Sequence, residues 1–319
     1  MRIAILDDYQ NAARSLADWD SLPGEATFFT DFLGHDDDAV CRALQDFDVI
    51  VAMRERTPFT GARLRNLPNL KLLVTTGMRN ASIDLDATRE LGIAVCGTAG
   101  SPTAAAEHTW ALILAAARRL DVELFSASRP RPVSQPWQQT LGTGLSGKTL
   151  GVYGLGNLGS QVARIGQAFG MRVIAHSQNL TTERAAEAGV EWVDQDGLFA
   201  ESDVLTIHLK LSERTTKVVG ERQLALMKPG SILVNTSRSP MIDEDALVAA
   251  LGTGAPVLAA LDVFDVEPLP AGNRLLQTPG VIATPHVGYV TEDQFRIFYT
   301  GAVEDIAAWA AGAPVNVLN

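Results

Sequence analysis

An α/β fold with two doubly wound parallel sheets is what this sequence predicts, and three observations predict it. Short apolar runs alternate with helical stretches through almost the whole chain, the pattern of parallel strands joined by crossover helices. The runs fall into two series, parted by an alanine-rich helical stretch and by "SRPRPVSQPWQQTLGTG" (128–144), whose Pro and Gly content reads as an irregular connection. At 319 residues the chain is long enough for two domains, each with a sizeable core.

In the first series "RIAIL", "VIVAM", "LKLLVTT" and "IAVCG" read as strands, with "DDAVCRALQD" as one of the helices between them. The opening "MRIAILDDYQ" has one basic residue and a short apolar run ended by two aspartates. That fits a first strand better than a signal peptide, which needs a longer apolar core and a cleavage site. "TAAAEHTWALILAAARRL" then reads as a helix placed to bridge two domains. Its apolar part falls short of the roughly 18 uninterrupted apolar residues of a membrane span. The second series begins near residue 148: "TLGVYGLG", "RVIAHS", "DVLTIHL", "SILVNTS", "VLAALDVF" and "VIATPH", each followed by a turn or helix.

Hydrophobic residues make up 46% and charged residues 20%, ordinary for a soluble globular protein. The net charge of −11 argues against a nucleic-acid partner, because phosphate contacts need a clustered basic surface. Anionic small molecules stay open, since a local arginine cluster overrules the global sign. Cys41 and Cys96 have no metal-ligand spacing and no mark of an oxidising compartment, so buried thiols in a cytoplasmic protein are expected.

The first chemistry-bearing motif is G-x-G-x-x-G, formed by Gly154, Gly156 and Gly159 after "LGVY" and before an apolar-periodic helix. The first glycine permits a tight turn, the second lets backbone approach a pyrophosphate, and the third lets helix and strand pack closely. With Asn157 and Leu158 between the last two, the helix start offers amides and a positive dipole end to phosphates. The next strand of such a fold usually ends in an acid that holds the ribose hydroxyls of NAD. Here Ser177 stands in that place, followed by Gln178 and Asn179. No carboxylate repels the 2′-phosphate of NADP, yet no arginine adjoins Ser177 to select it. Weak discrimination between NAD(H) and NADP(H) is the expectation.

Three later strands each deliver a polar residue where the apolar run stops: Arg238 after "SILVNTS", Asp262 and Glu267 in "VLAALDVFDVEP", and His286 in "VIATPHVGY". Ligands of open parallel sheets bind outside the carboxyl ends of the strands, so these groups are expected to face one crevice. Their chemistry is coherent. A guanidinium grips a carboxylate through paired hydrogen bonds, a histidine passes a proton as hydride moves at carbon, and a neighbouring carboxylate orients the imidazole and favours its charged form. Each alone has an ordinary explanation as surface charge; their joint placement after the glycine turn favours function.

Through "TLGVYGLGNLG", "LMKPGSILVNTSRSPMIDEDAL", "ALDVFDVEPLP", "TPHVGY" and "AAAEHTWALILAAARR", the sequence resembles the D-isomer-specific 2-hydroxyacid dehydrogenases over nearly its whole length, with the phosphoglycerate-type members as near relatives. The resemblance implies two Rossmann-like domains, a cofactor domain (101–289) inserted in a substrate domain made of 1–100 and 290–319. It implies that Arg238 binds the substrate carboxylate, that Glu267 supports the histidine, and that His286 is the acid–base. Asp262 matches a position that meets the nicotinamide end of the cofactor, and Thr236 joins the cofactor set. Relatives that oxidise formate carry a glutamine where this chain keeps Glu267. Two departures stand out: serine-bearing NADP relatives follow that serine with arginine rather than Gln178, and the family usually has proline at Lys210.

The substrate is less legible. Arg54 and Arg56 in "VAMRERTPFT" follow an apolar strand, and similar segments in phosphoglycerate-type relatives meet the substrate phosphate. Solvated loop residues are the competing reading. "TTGMRNASID" (75–84), with Met78, Arg79 and Asn80, occupies the place of the family loop whose amides meet the substrate carboxylate, about two residues longer than usual. A 2-oxo acid such as hydroxypyruvate or glyoxylate is therefore expected alongside a phosphorylated or dicarboxylic alternative. The resemblance also implies a homodimer with the alanine-rich helix in its interface. The rival function is a nucleotide-sensing, corepressor-like binding protein of the same fold, whose output is a protein contact.

Overall fold

The structure, a computed structural model, describes residues 1–128 and 136–319. The chain forms two compact units, Met1–Ser101 with Val290–Asn319, and Pro102–Tyr289. Each is built on a wholly parallel sheet.

In the first unit the strands are β1 (Arg2–Ile5), β2 (Glu25–Phe28), β3 (Val49–Ala52), β4 (Leu72–Thr75) and β5 (Ala94–Gly97), in the order β2-β1-β3-β4-β5. Every residue of β3 and β4 is buried, so these strands read as continuous apolar runs without alternation. The edge strand β2 was missed for the opposite reason: none of its residues is fully buried, and it has no apolar run. The long helix Glu292–Ala310 joins this unit, burying Phe295, Phe298, Tyr299, Ala302 and Ile306. Its tail then runs beside β5, where the Leu318 amide donates to the Val95 carbonyl at 2.8 Å.

The second unit carries seven strands: β6 (Thr149–Tyr153), β7 (Arg172–His176), β8 (Glu191–Trp192), β9 (Val204–Ile207), β10 (Ile232–Asn235), β11 (Leu258–Leu261) and β12 (Val281–Ala283). Their order is β12-β11-β10-β9-β6-β7-β8, so the winding reverses between β6 and β9, the switch point at which such sheets bind ligands. In register, Val152 lies beside Thr206, Thr206 beside Val234, Val234 beside Ala260 and Ala260 beside Ile282. The carboxyl ends of five neighbouring strands therefore line one edge. The two-residue edge strand β8 is too short to carry a pattern.

The alanine-rich stretch forms the helix Ala104–Ala117, and a second helix, Leu120–Ala127, begins where that stretch ends. Arg119 between them takes φ +52°, a left-handed conformation that a continuing helix does not allow. The first helix belongs to the second unit and buries Trp110 against Phe169, with the indole N–H donating to the Val162 carbonyl at 3.2 Å. Of the expected irregular connection, 129–135 lie outside the described residues. Beyond them the Glu123 carboxylate accepts from the Gln139 and Thr140 amides at 2.9 and 2.6 Å. Among the described residues no helix is long and apolar enough to cross a membrane.

Candidate active site

The glycine turn connects β6 to the helix Asn157–Ala168. Gly154 sits at φ +108°, and a Cβ there would lie 2.7 Å from the His208 carbonyl oxygen. A Cβ on Gly159 would lie 2.0 Å from the Gly154 oxygen, so the helix rests directly on the turn. Gly156 caps the helix with no side-chain hydrogen bond, and nothing lies within 4 Å of where its Cβ would be. The first i→i−4 bond runs from Ser160 to Gly156 at 2.9 Å, leaving the amides of Asn157, Leu158 and Gly159 at the open end. Open space over bare backbone and an uncapped helix start fit a dinucleotide pyrophosphate.

Ser177 lies just past β7, half-buried, in a turn closed by the Leu180 amide on its carbonyl at 3.0 Å. Beside it, the Gln178 side-chain oxygen accepts a 2.8 Å hydrogen bond from the Arg214 guanidinium, which comes from the loop after β9.

Across the sheet, the ends of β10, β11 and β12 hold the polar set. Adjacent strands are about 4.8 Å apart, so these ends span roughly 10 Å. Arg238 follows β10, its backbone carbonyl accepting from the buried Asn235 amide group at 3.0 Å and its Nη1 donating to the Ser237 carbonyl at 2.7 Å. Thr236 places its hydroxyl 2.8 Å from that of Thr109; Thr109 donates onward to Ala105, so Thr236 is the donor of the pair. Glu267 bridges two elements, accepting from the Phe264 amide at 2.9 Å with one oxygen and meeting His286 Nδ1 at 2.7 Å with the other. The imidazole stands edge-on to Tyr289, with centroids 5.4 Å apart. With Nδ1 held by the carboxylate, Nε2 is the nitrogen left for proton transfer.

His286 itself takes φ +51°. Such strain persists only where surroundings over-determine it, and Asp262 supplies the constraint. Its Oδ1 accepts from the Thr284 hydroxyl (2.6 Å), the Val287 amide (2.9 Å) and His108 Nε2 (3.1 Å), while Oδ2 accepts from the Gly288 amide (2.9 Å). The Thr284 side chain before His286 and the Val287 and Gly288 backbone after it are thus pinned to one buried carboxylate. Burial pushes Asp262 up, but the hydrogen bonds from His108 and Thr284 and the adjacent imidazole outweigh it and hold the carboxyl below its usual range.

In the first unit, the loops after β3 and β4 are knitted together. Arg54, at φ +52°, donates from Nη1 to the Thr76 carbonyl at 2.9 Å, and the Asn80 amide group returns a 2.6 Å bond to the Arg54 carbonyl. Arg56 donates to the Asp7 carbonyl at 2.6 Å and lies over the Tyr9 ring at 4.4 Å. Met78 and Arg79 are exposed at the tip of the second loop.

A family profile, D-isomer specific 2-hydroxyacid dehydrogenase, NAD binding domain, matches residues 110–288. The chain belongs to this family. It is similar to the glyoxylate reductase of Aeropyrum pernix, 41% identical over 80% of this chain and 78% of that protein. It is also similar to the D-3-phosphoglycerate dehydrogenase of Archaeoglobus fulgidus, 36% identical over 87% of this chain but 52% of that protein, so it spans about half of that relative's length. Among solved structures, the phosphoglycerate oxidoreductase of Vibrio cholerae superposes with a TM-score of 0.90 at 38% identity, covering 98% of this chain and 100% of the other. The family member described here is accordingly a nicotinamide-dependent D-2-hydroxyacid dehydrogenase.

Three residues of the site were not singled out from sequence. His108 was quoted only inside an apolar helix, where its polar character against alanine and leucine neighbours was the available signal. Thr284 and Arg214 had none, because their partners Asp262 and Gln178 are 22 and 36 residues away.

Proposed function

We propose that this chain interconverts a small, unphosphorylated 2-oxo acid and its 2-hydroxy acid, with His286 as the acid–base. The observation that carries this reading is the Glu267–His286 contact of 2.7 Å at the strand edge that also presents Arg238 and the glycine turn. Reduced nicotinamide, when bound, supplies the hydride that adds to the carbonyl carbon. His286 Nε2 gives its proton to the carbonyl oxygen, and Glu267 stabilises the imidazolium before that transfer. Arg238 holds the substrate carboxylate through its guanidinium fork. In oxidation the neutral imidazole takes the hydroxyl proton instead. The amides of Asn157, Leu158 and Gly159 hold the pyrophosphate and Ser177 the ribose, and Thr236, fixed by Thr109 at the end of β10, completes the cofactor set. Asp262 acts chiefly through the loop it clamps, with acceptor capacity left on Oδ2 for the cofactor amide.

Arg54 and Arg56 were candidates for a second anion site. Arg56 faces the Asp7 carboxyl, which burial pushes up and the guanidinium charge draws down, and Arg54 Nε lies 3.6 Å from the Glu55 carboxylate. Both guanidinia already face acids, which supports a short substrate over a phosphorylated one. Met78 and Arg79 then form the exposed part of the substrate loop. Names of relatives such as glyoxylate reductase and hydroxypyruvate reductase support the same class and lend nothing to the corepressor-like alternative. A homodimer rests on the family resemblance, with the alanine-rich helix in its interface. The buried free thiols Cys41 and Cys96 support a cytoplasmic setting.

The test is a screen of glyoxylate, hydroxypyruvate, pyruvate and 3-phosphohydroxypyruvate with both reduced nicotinamide cofactors, followed at 340 nm. Fastest turnover with an unphosphorylated acid is expected. No turnover with any of them, or a preference for the phosphorylated acid, would overturn the reading.

A further inference from the structure

We propose that Arg214 is the ligand for the 2′-phosphate of NADP(H), making this chain selective for the phosphorylated dinucleotide. The inference rests on the dinucleotide reading of the glycine turn and extends it to the far end of the cofactor.

The acid that would exclude a 2′-phosphate is absent: Ser177, Gln178 and Asn179 follow β7, and the next acid in sequence is Glu183. A cation is supplied instead from another element. Because β6 lies between β7 and β9, the loops after β7 and β9 flank the glycine turn from either side. The loop after β9 folds into a tight turn, with the Thr215 hydroxyl donating to the Lys210 carbonyl and the Ser212 amide donating to Thr215 Oγ1, each at 2.8 Å. That turn carries Arg214 to the Gln178 side chain, one residue from Ser177.

What the guanidinium meets there decides its role. Elsewhere in this unit Arg172, Arg222 and Arg274 are each paired with carboxylates. Among the described residues, Arg214 is held by a neutral amide oxygen through one of its nitrogens. The amide orients the guanidinium without neutralising it, and the remaining N–H groups keep the fork geometry that suits a phosphate. The Ser177 hydroxyl adds a donor to the same anion. A phosphomonoester, carrying close to two negative charges near neutral pH, is the ligand this arrangement fits.

Equilibrium binding of 2′,5′-ADP and 5′-AMP, measured by calorimetry on the intact chain, separates this site from catalysis. Wild-type protein is expected to bind 2′,5′-ADP more tightly by about tenfold or more, the scale of a charge-assisted phosphate contact. Arg214→Ala is expected to cut that ratio by about tenfold, with Arg214→Lys retaining part of it. Gln178→Glu is expected to cut it as well, since a carboxylate there pairs with the guanidinium and repels the phosphate. A wild-type ratio near one, or a ratio that survives Arg214→Ala, overturns the proposal while leaving the cofactor site standing if NADH still binds. Absence of binding by AMP, NADH and NADPH alike overturns the glycine-turn reading and the proposal with it.

Discussion

Replacing Asp262 with asparagine tests whether the strained loop around His286 is held by one carboxylate. Four donors converge on the two oxygens of Asp262, three on Oδ1 and the Gly288 amide on Oδ2. An asparagine presents one acceptor oxygen and one donor group, so its better orientation keeps the three and turns an NH₂ toward the Gly288 amide. Leaving that buried N–H unpaired costs about 1–3 kcal/mol, and the three surviving bonds lose their charge assistance. A non-glycine residue in the left-handed region stores about 1–2 kcal/mol, and His286 at φ +51° sits directly before the released segment. The loss of restraint therefore matches the strain it opposes. A relaxation worth about 1–2 kcal/mol lowers the population of the working His286 conformer by roughly 5–30-fold. The assay is kcat for glyoxylate reduction, together with the dinucleotide Kd by fluorescence and hydrogen exchange at the Val287 and Gly288 amides. The expected signature is a fall in kcat of that size with faster exchange at both amides and a smaller change in Kd. A Kd that rises in step with an unchanged exchange pattern would make Asp262 a cofactor anchor instead, and kcat within twofold of wild type would refute the clamp.

Two further predictions concern pH and stability. Asp305 is fully buried in the first unit; burial pushes its carboxyl up to about 6, partly opposed by the hydrogen bond from Asn316 and reinforced by Glu304. The unfolded chain releases this proton near the ordinary value of 3.8, so stability falls as pH rises from there to about 6. Asp305→Asn is accordingly expected to stabilise the protein at pH 8 by about 1–3 kcal/mol and to do little near pH 4, as read from urea midpoints; equal effects at both pH values would contradict this. Half-buried His208, whose Nδ1 is shut off from solvent, behaves oppositely, since burial of the ring pushes its pKa down to about 3 against an ordinary 6.5. Below pH 6.5 the unfolded chain gains a proton that the fold refuses, which removes about 1.4 kcal/mol of stability per pH unit. His208→Asn is expected to flatten that acid slope, and an unchanged slope would show that other groups set it.

The parallel sheets were legible because strands covered on both faces leave uninterrupted apolar runs, as "VIVA" and "LLVT" do. Edge strands β2 and β8 escaped because exposure removes that signal. Glu267 and His286 were legible as polar residues just past strand ends, and their contact followed from neighbouring strands. The His108–Asp262–Thr284 cluster was not, because it joins a helix to two strand ends through partners 154 and 22 residues apart. Arg214 shows the same limit: the sequence read as lacking an arginine beside Ser177, while the strand order brings one to Gln178 from a different loop.

The most direct measurement is hydride transfer by His286→Ala in single-turnover reduction of glyoxylate, with dinucleotide binding followed on the same protein. A loss of about a hundredfold or more, with dinucleotide binding retained, is the expected result for an imidazole that delivers the proton. Transfer within a few-fold of wild type would remove His286 from the chemistry and with it the role assigned to its carboxylate partner.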